Sequence, residues 1–188
     1  MTKLTLGVLL WSLTHMVPAA LPDLRQRLLG RLGENGYKGI FTLLMVLAIY
    51  LVISGWKASL PASVFLPPTW GRHVTALLML VAFVLFFAPY PPNNIKRALR
   101  HPQLTGVLVW GVGHLLANGE GRSIVLFGGL ALWALVEMVL INRRDGAWLK
   151  PDPAPRKNDL VLAAGGFGAY VVVAMSHQWL FGFSPFIG

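Results

Sequence analysis

Two histidines lie inside apolar stretches of this chain, and the residues around them repeat. Gly7-Val8-Leu9-Leu10-Trp11-Ser12-Leu13-Thr14-His15 is matched by Gly106-Val107-Leu108-Val109-Trp110-Gly111-Val112-Gly113-His114. Valine and leucine recur readily in membrane helices, so the weight falls on glycine, tryptophan and histidine at i, i+4 and i+8. In a helix that spacing forms one stripe on one face. A small residue on the stripe admits close approach by a neighbouring helix or a flat ligand. An ionisable side chain within a membrane marks a functional site by default. Two neutral imidazoles, His15 and His114, suit the axial ligation of a haem b iron from both sides, which needs no cysteine. Zinc prefers four ligands, and no further pair stands at the same depth. The plainer alternative is that each histidine donates to a neighbouring carbonyl and merely holds helices together.

The remaining ionisable groups are weaker candidates. His73 reads as an interfacial cap, His101 with Pro102 as a helix start, and His177 as a residue near the outer surface, poorly placed to partner His15. Glu137 reads most simply as reaching toward Arg143 and Arg144, with a role beside a propionate's basic partners or a proton path as the other option. There are no cysteines, which excludes disulfides, thiolate zinc sites, iron–sulfur clusters and cysteine nucleophiles. Gly165-Gly166-Phe167-Gly168 has no strand before it and reads as helix packing rather than a phosphate loop.

The elements that must position the histidines follow from composition. Of 188 residues, 55% are hydrophobic and 12% charged, with a formal net charge of +9; a globular domain carries about 25% charged residues. Six apolar runs are candidate spans: Leu4–Ala20, Gly39–Trp56, His73–Tyr90, Leu104–Asn118, Ser123–Ile141 and Leu160–Phe183. Without water in the bilayer core each must be helical. Arg25, Arg27, Arg31 and Lys38 fall in the first loop, Lys96, Arg97 and Arg100 in the third, and Arg143, Arg144, Lys150, Arg156 and Lys157 in the fifth. These are 12 of the 16 basic residues. Lys and Arg are retained on the cytoplasmic side, so the odd loops should face the cytoplasm and both termini the outside. The basic excess is thus a topology signal, with a contact to anionic headgroups as a further implication, and no nucleic-acid partner is expected. A cleaved signal peptide over residues 1–20 would place the four-charge first loop outside and interrupt its own apolar run with His15, so those residues are read as a span. Spans one and four run in opposite directions, which makes the repeat an inverted three-plus-three arrangement with a site near the midplane.

Further residues carry a resemblance. Arg97-Ala98-Leu99-Arg100-His101-Pro102, then Trp110, His114-Leu115-Leu116-Ala117-Asn118-Gly119 and Leu126-Phe127-Gly128-Gly129 resemble the core of the NnrU family. So do His15-Met16-Val17-Pro18-Ala19 and Gly36-Tyr37-Lys38-Gly39-Ile40-Phe41. The family is named for a bacterial member encoded with nitrite and nitric oxide reduction genes, and it includes 15-cis-zeta-carotene isomerase. In that enzyme a haem b held by two histidines isomerises a carotene double bond. The resemblance maps its second histidine onto His114 and its first onto His15. A cysteine three residues before its second histidine corresponds to Gly111 here. The expectation is therefore an all-α polytopic transmembrane bundle of about six helices, a single domain over residues 1–188, in a bacterial inner membrane. It would bind haem b in a redox or isomerase-type role, associated with denitrification or carotene isomerisation. Its partners would be the lipid bilayer and either a hydrophobic polyene or another membrane protein. The main alternative is a non-catalytic accessory or assembly subunit of a respiratory or denitrification complex; a small transporter, suggested by inverted symmetry alone, ranks last.

Overall fold

The computed structural model describes Met1–Phe186, and among these residues the chain is all-helical. Seven helices follow in order: α1 (Thr2–Ala20), α2 (Pro22–Ala58), α3 (Gly71–Phe87), the single turn α4 (Ile95–Ala98), α5 (Pro102–Ala117), α6 (Gly121–Asp145) and α7 (Arg156–Phe181). Each of the six expected apolar runs lies on one of the six long helices. Three of them, α2, α6 and α7, are long and apolar enough to cross a membrane, and α3 is a shorter apolar helix.

Two elements differ from the expectation. The first basic loop is helical: α2 starts at Pro22, and only Gly33, at φ 68 and ψ 172, breaks it. That conformation lies where glycine alone is unstrained. The leg before the break carries Leu21, Leu24, Leu28 and Leu32 at helical spacing with Arg25, Arg27 and Arg31 between them, the pattern of a helix lying at a membrane surface. The second difference is a π turn at Ile124–Gly128 within α6. The start of α5 agrees with expectation, His101 capping and Pro102 in its first turn.

The chain forms two compact units. The first holds α1, α2 and α6 and so joins two segments that are apart in the sequence. Here α1 packs along α2, and glycines set the approach. A Cβ on Gly7 would lie 2.7 Å from Val52 N and 2.9 Å from Ala48 O, and one on Gly55 would strike the backbone of Leu4. A Cβ on Gly129 would lie 2.8 Å from Val8 of α1, while Arg144 Nη1 donates to Pro18 O at 3.1 Å. Hence α1 and α6 run side by side in the same direction. The second and fourth loops are joined in this unit through Val64 N to Gly119 O at 2.8 Å and Gly121 N to Ala62 O at 2.9 Å.

The second unit holds α3, α5 and α7. Gly106 and Gly113 of α5 face α3, where added Cβ atoms would meet Ala82 O at 3.2 Å and Met79 Cε at 2.7 Å. Of the glycines in the Gly165–Gly168 segment, Gly166 packs against Val84, whereas Gly165 and Gly168 face open space. The third and fifth loops are pinned by Asn94, whose N and Nδ2 donate to Asp159 Oδ1 and Oδ2 at 2.7 and 2.6 Å. Ala154 N returns a bond to Asn94 Oδ1 at 3.0 Å. Those two bonds from Asn94, the side chain's first, hold the Asp159 carboxyl below the usual carboxylate range.

Within each unit, then, odd loops meet odd loops or even loops meet even ones. The helix faces that pack on no neighbour are strongly apolar: Leu77, Val172 and Trp179 are 68%, 66% and 81% exposed. Apolar surface on this scale calls for a lipid environment, and these helices are those of a membrane protein.

Candidate functional site

The two repeated nonapeptides fold alike. His15 lies five residues from the end of α1, and His114 three residues from the end of α5. In each, the ring Nδ1 lies 2.9 Å from the carbonyl oxygen of the tryptophan four residues earlier, Trp11 and Trp110. A carbonyl oxygen can only accept, so the proton sits on Nδ1 and the lone pair on Nε2. That is the neutral tautomer a metal ligand needs, with its ring oriented by the second nitrogen's bond. The glycine eight residues before each histidine packs closely on the antiparallel partner, α2 for Gly7 and α3 for Gly106. The stripe read from spacing thus has one end for packing and one for the imidazole.

His15 belongs to the first unit, and its surroundings are aromatic. Its ring is tilted over Trp11 at 4.4 Å and meets Phe41 and Trp133 edge-on at 5.3 and 5.1 Å. Trp11 and Trp133 stand perpendicular at 6.1 Å. Both indole Nε1 atoms are buried without a hydrogen-bond partner, an unmade bond worth about 1–3 kcal/mol each. Glu137, one turn beyond Trp133, is 6% exposed, and its Oε2 is also unpartnered. Its carboxylate is thus buried among neighbouring helices rather than exposed, on the same helix as Arg143 and Arg144, toward which the simpler reading directs it. Spacing alone does not reveal Trp133 and Phe41. Their signal is the i, i+4 pairing of Trp133 with the intramembrane Glu137.

His114 belongs to the second unit. Its carbonyl accepts from Asn118 Nδ2 at 2.8 Å, closing the end of α5. Thr75 Oγ1 lies 2.6 Å from Gly113 O and 2.8 Å from Gly71 O, its one proton serving both and tying α3 to α5 beside the histidine. The ring is tilted against Trp110 at 5.0 Å. His177 of α7 belongs to the same unit, its Nδ1 2.6 Å from Phe183 O.

The chain belongs to the NnrU family. The NnrU protein family matches residues 3–185, nearly the whole length, including both Trp-x3-His segments. No curated protein and no solved structure matches the chain. Among the described residues of this NnrU-family protein, no three His, Asp or Glu side chains form a group that could hold a metal ion.

A further cluster escaped the sequence reading. Arg122, 8% exposed, pairs with Glu120 at 2.6 Å, lies 4.5 Å over the Trp56 ring, and meets Ser59 O at 3.5 Å. Directly after it come the buried, unpartnered Ser123 Oγ and the π turn.

Proposed function

We propose that the protein is a multi-pass haem b protein of the bacterial inner membrane, with His15 and His114 as the axial ligands. The observation that carries this reading is the shared tautomer: both imidazoles are held by an Nδ1–H bond to a tryptophan carbonyl, with the lone pair on Nε2. The unpartnered indole N–H groups of Trp11 and Trp133 beside His15 fit a bound molecule with hydrogen-bond acceptors. When bound, haem b supplies an iron able to change redox state and exchange an axial ligand. The protein's own part is to orient the two rings, exclude water with Trp11, Phe41 and Trp133, and leave substrate access from the lipid side. Apolar access suits a polyene substrate in a carotene-isomerase-type role. The family's denitrification-associated members suit a redox role instead. The inverted arrangement, the cytoplasmic placement of the basic loops and the outward placement of both termini belong to the same proposal.

Absorption spectra of the purified protein in both redox states test the reading. The expected result is a Soret band and a sharp reduced α-band, lost when His15→Ala and His114→Ala are combined. A colourless protein from haem-replete cells, or an unchanged spectrum in the double variant, refutes it.

One observation favours the second reading, a non-catalytic accessory subunit. His15 is already satisfied as a packing residue, bonded to Trp11 O and wedged among three aromatic rings. That reading expects co-purification with another membrane protein and a function that survives both histidine substitutions.

A further inference from the structure

We propose that the first unit carries a binding site for the phosphate headgroup of an anionic glycerophospholipid. A cleft of about 540 Å³ is lined by Pro18, Arg25, Tyr37, Lys38, Phe41, Thr42 and Arg144. Three elements converge on it: the surface leg of α2 before Gly33 brings Arg25, the leg after it brings Tyr37 to Thr42, and the end of α6 brings Arg144. Three of the lining side chains are basic and none is acidic. The volume is in the range of ligand clefts and accommodates a glycerophosphate group.

Each basic group is held at the cleft yet able to bind. Arg25 stacks over Tyr37 with its guanidinium carbon 5.8 Å from the ring centroid, which positions it without using its donors. Lys38 pairs with Glu34 at 2.6 Å, but both side chains are about two-thirds or more exposed, at 67% and 73%. Such a pair contributes little and readily yields to the negative charge of a phosphodiester. Arg144 bonds Asp145 through Nε and Nη2 at 2.6 and 3.2 Å and Pro18 O through Nη1 at 3.1 Å, which fixes its plane at the cleft edge and leaves the second N–H of each terminal nitrogen for a phosphate. Thr42 offers a hydroxyl, and Phe41 supplies an apolar wall.

The neighbouring surface says which phosphate is meant. The α2 leg carries leucines between its arginines, and beyond the cleft α2 exposes Leu43, Val46 and Leu47 at 68%, 59% and 45%. A phosphate seated among Arg25, Lys38 and Arg144 has acyl-chain surface beside it, which a free phosphate cannot use. Basic residues at a membrane surface attract anionic lipid by about 1 kcal/mol each, about fivefold in affinity.

Native mass spectrometry of the full-length protein, released from detergent with phosphatidylglycerol or phosphatidylcholine, tests the site. Thermal stability measured with the same lipids, and with inorganic phosphate alone, completes the test. We expect phosphatidylglycerol to be retained and stabilising and phosphatidylcholine not. Arg25→Gln should weaken retention about fivefold, and the triple variant Arg25→Gln, Lys38→Gln, Arg144→Gln by tens of fold. Glutamine at 144 keeps a donor for Pro18 O, and an unchanged melting curve in detergent certifies the fold. The control Arg156→Gln, Lys157→Gln removes two charges in the other unit and should leave retention unchanged. Equal loss in that control, equal retention of phosphatidylcholine, or stabilisation by inorganic phosphate as strong as by phosphatidylglycerol overturns the proposal.

Discussion

Replacing Gly7 with alanine adds one methyl group at a close point of the α1–α2 contact. The new carbon would lie 2.7 Å from Val52 N, 2.9 Å from Ala48 O and 2.9 Å from Val52 Cγ2, where ordinary contact begins at 3.4 Å. Two of these neighbours are backbone atoms of a helix, so no rotamer change relieves them. The helices must separate by several tenths of an ångström along the stripe that ends at His15. Overpacking of this kind costs about 1–3 kcal/mol, against which alanine's better helix propensity returns up to about 1 kcal/mol. At about 2–4 °C per kcal/mol for a chain of this size, the thermal midpoint should fall by several degrees. Gly39→Ala supplies the control: it lies on the facing helix, and its Cβ meets nothing within 4 Å. That variant should be neutral or slightly stabilised. Thermal unfolding in a mild detergent, followed by far-UV circular dichroism, compares the two. If Gly7→Ala melts with or above Gly39→Ala, the close approach of α1 and α2 does not exist and the packing of the first repeat is wrong.

Arg122→Ala should cost about 3–5 kcal/mol, because it strands the Glu120 carboxylate in a pair whose side chains are only 10% and 30% exposed. The double variant Arg122→Met, Glu120→Gln should recover much of that loss in the same melting assay, and no recovery argues against the ion pair. The Asp159–Asn94 link should make stability pH-dependent. The folded carboxyl titrates below its unfolded value of about 3.9. Its contribution is therefore complete above that value and lost as pH falls through the folded one. Melting midpoints of the parent and Asp159→Ala should differ at neutral pH and converge in strong acid; a constant gap refutes the link.

Much of this architecture is legible in the one-dimensional pattern because the bilayer simplifies the problem. Apolar runs in a bilayer must be helical, and the six apolar runs fall on six long helices, three of them long and apolar enough to cross a membrane. The basic residues alternate between loops, and the loop pairings within each unit follow that alternation. The repeated Gly-x3-Trp-x3-His stripe is likewise visible, since 3.6 residues per turn places its members on one face whatever surrounds them. Even the imidazole bond to the i−4 carbonyl is local, and it recurs at 2.9 Å in both copies.

Tertiary structure alone decided what touches those local elements. Helicity continued through the first basic loop as far as Gly33, because no proline or glycine cluster stops it before that point, and an apolar-run criterion is blind to an amphipathic surface leg. The π turn in α6, the burial of Glu137 and Arg122, and the choice of Trp133 and Phe41 as neighbours of His15 depend on which helix lies against which. So does the division into one unit of α1, α2 and α6 and another of α3, α5 and α7. Residue spacing specifies a face, and only packing specifies what that face meets. For this protein the histidines and their orientation are written in the chain, whereas the aromatic wall around His15 and the basic cleft beside it exist only once α1, α2 and α6 come together.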